Sequence, residues 1–398
     1  MKFLRSMFHT SKHAAAPAQE ARPWLKASRW LAAAAAVSLA ACGGGGSNDD
    51  DLPSPLTATE AAQMLTTSTV RYPAALAVRV TTNRIDVKVL GSQQLGGAAL
   101  RGDEAFPMGS MTKSMTATLA GVMVVQESRL SWGSKVLDVL PELAVTTRSE
   151  YADVTLGDLL AHRGGIFPAT TPEQIARLPE LTGAPVEQRV QLARWMLQQP
   201  STSTPRAKTE YSNGGYIVAA AMLERVAGQP YEALLQAKVF TPMGLTVGFG
   251  TPGAAAGEPW GHAAASGGRW AAVDPRDPEA QFPAVGNPAG GAKLSAPAFA
   301  RYLQMHLRAW RGQSGEVLTP ATARLLHAVV ADGFALGWEA GKDLEGRNIR
   351  WHNGSDDASY YGLMAMSIEA DVAAGVVVTG LGLSTESDAS EATVRMLR

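Results

Sequence analysis

Ser110-Met111-Thr112-Lys113 is the only S-x-x-K in the chain. Positions three apart are neighbours on a helix, so a helix starting near Ser110 lays the Lys113 amine beside the Ser110 hydroxyl. A serine is a weak nucleophile until an adjacent base takes its proton. A lysine desolvated in an apolar pocket has its pKa lowered toward the range where it can be that base. The helix N-terminus adds backbone N–H groups that can meet a developing oxyanion. Tyr211-Ser212-Asn213 is the only Y-x-N. A tyrosine near an ammonium has a depressed pKa and can pass a proton to a leaving group. Asn213 can orient the lysine or hold a substrate amide. His352-Asn353-Gly354, followed by Ser355, falls in a strand-like stretch. Its glycine allows a substrate to approach the backbone, and the Ser355 N–H can complete an oxyanion hole with that of Ser110. A second H-x-G, His162-Arg163-Gly164, precedes Tyr211 and closes a helix, so His162 is read as a helix-end residue. Each motif alone has an ordinary structural explanation; the three together point to acyl transfer through a serine.

The elements that must carry these residues fall into an α+β pattern. Ala74–Thr82 and Asp86–Gly91 read as strands joined by a turn at Asn83-Arg84. Thr112–Glu127 reads as an apolar helix in which Met108, Met111, Met115 and Met123 are core filler. Leu156–Ala161, Gly214–Val226, Tyr231–Val239, Ala298–Arg308 and Pro320–Val330 read as helices. Gly250–Gly291, rich in Gly, Ala and Pro, reads as irregular loop. Phe334–Glu339, Ile349–His352, Ser359–Ile368 and Val372–Thr379 read as strands, and a last helix spans about Ser387 to Leu397. Strands at both chain ends with helices between predict one antiparallel sheet built by the two ends, flanked by helices, with an inserted mostly helical lobe. Trp260, Trp270, Trp338 and Trp351 are expected in ordinary packing rather than in an acyl pocket.

The 398 residues are 46% hydrophobic and 18% charged, which excludes a disordered or fibrous chain. Lys+Arg 35 against Asp+Glu 36 leaves no basic footprint for nucleic acid. One cysteine excludes an internal disulfide and a cysteine-rich metal site. There is no G-x-S-x-G elbow, no H-E-x-x-H and no Walker loop. The first 41 residues carry six basic residues against Glu20, then an apolar run from Trp30 to Ala41 that is too short to span a bilayer. They read as a secretory signal. Leu39-Ala40-Ala41-Cys42 resembles the lipobox of bacterial lipoproteins, which implies lipidation at Cys42 and a periplasm-facing anchor, with Gly43 favouring the outer membrane. Residues 42–57 read as a flexible tether, and 58–398 as one catalytic domain.

Ser110-x-x-Lys113, Tyr211-x-Asn213 and His352-x-Gly354, in that order, resemble the serine β-lactamase and penicillin-recognising hydrolases. The nearest group is the class C and D-alanyl-D-alanine carboxypeptidase branch with its related esterases. Phe106–Asp138, Val154–Ile166, Tyr211–Leu245 and Asn287–Leu294 carry the likeness further, over roughly residues 60–380. The resemblance implies Ser110 as acylated nucleophile and Lys113 and Tyr211 as general bases and acids. It implies Asn213 as support for lysine and substrate, and His352 as the electropositive or hydrogen-bonding group of the edge strand. No metal or organic cofactor is implied. The partner is a small-molecule or peptide substrate, and a monomer is expected. His352-Asn353 stands where class C β-lactamases have Lys-Thr, which argues against strong β-lactamase activity. The expected activity is therefore a carboxylesterase or small amide or peptide hydrolase. The alternatives are a D-alanyl-D-alanine carboxypeptidase, a β-lactamase, and a penicillin-binding sensor that acylates without turnover.

Overall fold

The structure, a computed structural model, describes residues 52–67 and 71–398. The signal, the Cys42 lipidation site and most of the 42–57 tether lie outside the described residues. The central sheet has six antiparallel strands. In chain order they are β1 (Ala74–Val80), β2 (Ile85–Gly91), β8 (Glu339–Lys342), β9 (Asn348–Ser355), β10 (Tyr361–Ser367) and β11 (Val372–Val378). Their spatial order is β2-β1-β11-β10-β9-β8, so the two chain ends meet where β1 pairs with β11.

The middle strands are apolar on both faces, and every residue of β10 and β11 is buried. Alternation sends Leu76, Val78, Met364 and Met366 to one face and Ala75, Ala77, Leu363 and Ala365 to the other. The second face is covered by α1 (Ala58–Thr67) and α8 (Thr385–Met396). The first face is covered by α6 (Ala296–Trp310) and, beyond it, by α2 (Thr112–Gln126). α2 buries Thr112 through Met123 without interruption, as a helix at the centre of a domain must. Met108, Met111, Met115 and Met123 are all fully buried.

Between α2 and α6 lies the helical lobe, with α3 (Leu156–Leu160), α4 (Pro185–Gln198) and α5 (Asn213–Ala227). α7 (Pro320–His327) follows α6. A small sheet of β3 (Phe106–Pro107), β7 (Ala292–Leu294) and β4 (Gly248–Phe249) ties the start of α2 to the segment before α6.

Three sequence expectations change. Gly250–Gly291 is not all loop: β5 (His262–Ala265) and β6 (Arg269–Ala272) form a hairpin, and Asn287–Gly290 is a helical turn. The hairpin is pinned by His262, whose Nδ1 lies 2.8 Å from Thr379 O and whose Nε2 accepts from Leu95 N–H at 3.1 Å. Of Phe334–Glu339 only Glu339 enters a strand, because Gly337 takes a left-handed φ of 77°. Tyr231–Leu235 continues into a π turn, Gln236–Phe240. Trp338 and Trp351 are core residues, 1% and 4% exposed.

Candidate active site

Ser110 lies in a single 3-10 turn, Gly109–Met111, that runs into α2. Ser110 and Lys113 therefore both have helical backbones and share a face. Lys113 Nζ stands 3.0 Å from Ser110 Oγ, 2.7 Å from Asn213 Oδ1 and 2.8 Å from Ala289 O. Lys113 is wholly buried, and burial pushes its amine well below the usual lysine range. A neutral amine has two N–H donors and one lone pair. Ala289 O can only accept. Asn213 Oδ1 is also an acceptor, because the Asn213 Nδ2 donates to Ala169 O at 2.8 Å and so fixes the amide's orientation. The two carbonyl oxygens take both N–H groups, and the lone pair is left for the Ser110 hydroxyl.

Tyr211 and Asn213 are held by the start of α5. Ser212 is its N-cap, with Oγ accepting from Gly215 N–H at 2.9 Å. Asn213 is thus the first helical residue and Tyr211 sits just outside. The Tyr211 hydroxyl is hydrogen-bonded to Ser110, and its ring lies under the amine, 4.6 Å from Lys113 Nζ to the centroid. Its pKa runs opposite to the expected depression. Burial pushes the phenol up, and the Glu339 and Asp357 carboxylates push the same way. Lys113, itself pushed down by desolvation, does not offset this rise.

β8 pairs only with residues 348–351 of β9, so His352–Ser355 runs on as an edge beside the 109–111 turn. The approach is too close for a side chain. A Cβ on Gly354 would fall 2.1 Å from Met108 O and 2.9 Å from Ser110 N. One on Gly109, whose φ is 51°, would fall 2.6 Å from Ser355 N. The two glycines thus let the backbone at Ser110 and that at Ser355 come close together, as a shared oxyanion hole would need.

His352 is brought to the site but is not electropositive. It is 1% exposed, and burial beside the Lys113 amine pushes it down to about 3. Its Nδ1 donates to Asn353 O at 2.6 Å, which leaves Nε2 as an acceptor. Asn353 is not brought to the nucleophile. The pleat turns it to the face shared by Trp351, and its amide meets the Tyr361 hydroxyl. One contributor was not singled out in the sequence, and another was read only as a helix-end residue. Ala289 O acts through its backbone, which residue type does not report. His162 does more than end α3: it is buried and stacks on Tyr211, with ring centroids 4.4 Å apart. Among the described residues no three His, Cys, Asp or Glu side chains are grouped to hold a metal.

A helical lobe set against an antiparallel sheet, with a serine–lysine pair at their junction, is the build of a serine hydrolase of the penicillin-recognising kind. The family model described as Beta-lactamase matches residues 63–395, and the chain belongs to that family. It is 27% identical over 306 residues to penicillin-binding protein 4 of Amycolatopsis lactamdurans, covering 73% of this chain and 77% of that protein. The D-stereospecific amidohydrolase of a Streptomyces species superposes with a TM-score of 0.65 at 17% identity, covering 85% of this chain and 98% of that one. D-alanine carboxypeptidase AmpC of Burkholderia cenocepacia does so with the same TM-score, 0.65, at 17% identity and the same coverage, 85% and 98%. These two likenesses show the shared fold. The protein is a serine hydrolase of the beta-lactamase family.

Proposed function

We propose that the protein hydrolyses an ester or small amide through an acyl-enzyme on Ser110. Neutral Lys113 takes the Ser110 proton as Oγ attacks the carbonyl carbon, and the oxyanion meets the N–H groups of Ser110 and Ser355. Tyr211, a phenol, relays that proton to the leaving alcohol or amine. Water then enters by the same path and attacks the acyl carbon, giving up a proton to Lys113; the Ser110 Oγ–acyl bond breaks, Lys113 returns the proton to Oγ, and the acid leaves. Asn213 holds the amine, and the His352 ring stands beside that of Tyr211, with centroids 6.2 Å apart. The observation that carries this reading is the buried Lys113 amine, with Nζ 2.7 Å and 2.8 Å from two carbonyl oxygens and 3.0 Å from Ser110 Oγ.

The electrostatics favour a substrate without a carboxylate beside the scissile bond. Burial pushes Lys113 and His352 toward their neutral forms, and the Asp357 carboxylate acts on Tyr211. A β-lactam or a peptidyl-D-alanine brings a carboxylate to this place. A carboxylesterase or an amidase acting on a neutral or amine-bearing amide fits better. The test offers residues 52–398 a short-chain p-nitrophenyl ester and, separately, a penicillin, following intact mass and released nitrophenol. Rapid release with transient acylation is expected. A stable penicilloyl adduct with little ester turnover refutes the reading and favours a carboxypeptidase or a sensor. We further propose export and anchoring at the cell envelope through lipidated Cys42.

A further inference from the structure

We propose that His162 is a positioning residue that fixes Tyr211 against Ser110 and Lys113. The proposal rests on Tyr211 being the proton relay of the reading above. α3 ends at Leu160, and His162 follows in the left-handed region with φ 58°. Glycine is the usual residue where a helix merely stops, and Gly164 and Gly165 stand close by. A non-glycine residue held there is strained, and such strain persists where its surroundings over-determine it.

What His162 touches explains why a ring is kept. Its carbonyl accepts from Glu210 N–H at 2.8 Å, and its Nδ1 accepts from Ser212 N–H at 3.0 Å. Its ring stacks on Tyr211, with centroids 4.4 Å apart and planes 27° apart. One residue thus grips the position before Tyr211, the one after it, and the phenol ring between. The His162 ring is itself fixed by Phe334, edge-on at 5.5 Å, and Tyr216, tilted at 5.1 Å. Acceptance at Nδ1 requires the neutral Nε2–H tautomer, and burial pushes the ring the same way. The proton-relay hydroxyl is at the far end of a ring whose near end has no covalent restraint beyond two torsions. A shift of about 1 Å there is enough to lower turnover about 100-fold.

The test is a double-mutant cycle between His162 and Tyr211. His162→Asn keeps an acceptor and suits a left-handed backbone but removes the ring. In the native background we expect kcat for the p-nitrophenyl ester to fall about 10- to 100-fold with KM changed by less than about two-fold. The melting transition stays cooperative. In the Tyr211→Phe background the same substitution lowers kcat by less than about two-fold, because the hydroxyl it serves is already gone. His162→Ala, lacking the acceptor as well, falls below His162→Asn. Should His162→Asn unfold, His162→Gln goes through the same cycle. Equal losses in the two backgrounds, native kcat in the folded variant, or a loss matched by the unfolded fraction overturns the inference. Full activity of Tyr211→Phe alone overturns the underlying role of Tyr211 and the inference with it.

Discussion

Asn213→Asp tests the base with little change of volume. Asn213 Oδ1 lies 2.7 Å from Lys113 Nζ, so the variant sets a carboxylate against the amine. Opposite unit charges at that distance attract by about 6 kcal/mol at an effective dielectric of ~20. The carboxylate also loses the donation to Ala169 O, made at 2.8 Å, and faces that oxygen unpaired, which takes back about 1–3 kcal/mol. The remainder, about 3–5 kcal/mol, raises the lysine by about 2–4 pKa units. The sign is upward, because an opposite charge favours the protonated amine. The shared proton then occupies the lone pair that Ser110 needs, whichever atom formally holds it. The assay is kcat/KM for a p-nitrophenyl ester from about pH 5 to 10, on native protein, Asn213→Asp and Asn213→Ala. The acid limb of the profile moves up by about 2–4 units in Asn213→Asp and by less than about one unit in Asn213→Ala. Asp357 and Glu339, pushed up by burial to about 6 and about 8, titrate in all three proteins, so the difference isolates Lys113. A folded Asn213→Asp whose acid limb has not moved refutes Lys113 as the base.

Ser110→Ala removes the nucleophile and leaves the core untouched, so turnover is lost while the melting temperature holds; turnover in a clean preparation removes Ser110 from the mechanism. Arg189 is fully buried, bridging Glu224 and Glu232 and donating to Ala284 O at 2.9 Å. Arg189→Ala strands Glu224 in the interior and costs about 3–5 kcal/mol; denaturant unfolding reads this, and a change under about 1 kcal/mol contradicts it. His306 and His352 are pushed down to about 3 by burial, and His162 and His327 are also well below their usual value. Unfolded histidines bind protons near 6.5, so the unfolded state gains protons first and stability falls as pH drops below 6.5. His262 adds to this, while Glu224, Glu339, Asp356, Asp357 and Glu386, raised by burial, oppose it. The histidine contribution is isolated by His306→Gln, which removes about one proton of uptake, or about 1.4 kcal/mol per pH unit between about pH 6 and 5; urea titrations giving native protein and variant the same slope there would sink the argument. Cys42→Ala is expected to move the protein from the membrane fraction to the soluble one; unchanged attachment removes the anchor.

The parts legible in the sequence are those whose signal is local. β1, β10 and β11 are almost wholly apolar, with Arg79 their one charged residue, as strands buried on both faces must be. The Ser110–Lys113 contact follows from helical spacing, and the Tyr211-x-Asn213 order follows from an N-cap serine between them. α4 was not legible, because its buried positions include Arg189, whose burial depends on glutamates 35 and 43 residues away. α1 buries mainly alanines, which give little periodic signal. The hairpin inside Gly250–Gly291 is secured by a histidine bonded to two distant backbone groups.

Charge state was the least legible property, for the same reason. The sequence places a lysine, a tyrosine and a histidine in one site, and the familiar reading of that set is an ammonium lowering a phenol. Burial reverses it, since a desolvated amine carries no charge with which to stabilise a phenolate. The centre then works by directing one lone pair. Asn213 Oδ1 and Ala289 O leave the amine a single free direction, and Ser110 Oγ lies in it. Burial pushes Lys113 and His352 toward their neutral forms, and in the function proposed above that weakens the site's hold on a carboxylate and leaves specificity to shape. His352→Lys is the substitution that separates these ideas. If neutrality is what excludes carboxylates, it raises the rate of penicillin acylation at Ser110 while lowering ester turnover; if shape excludes them, penicillin acylation stays as it was.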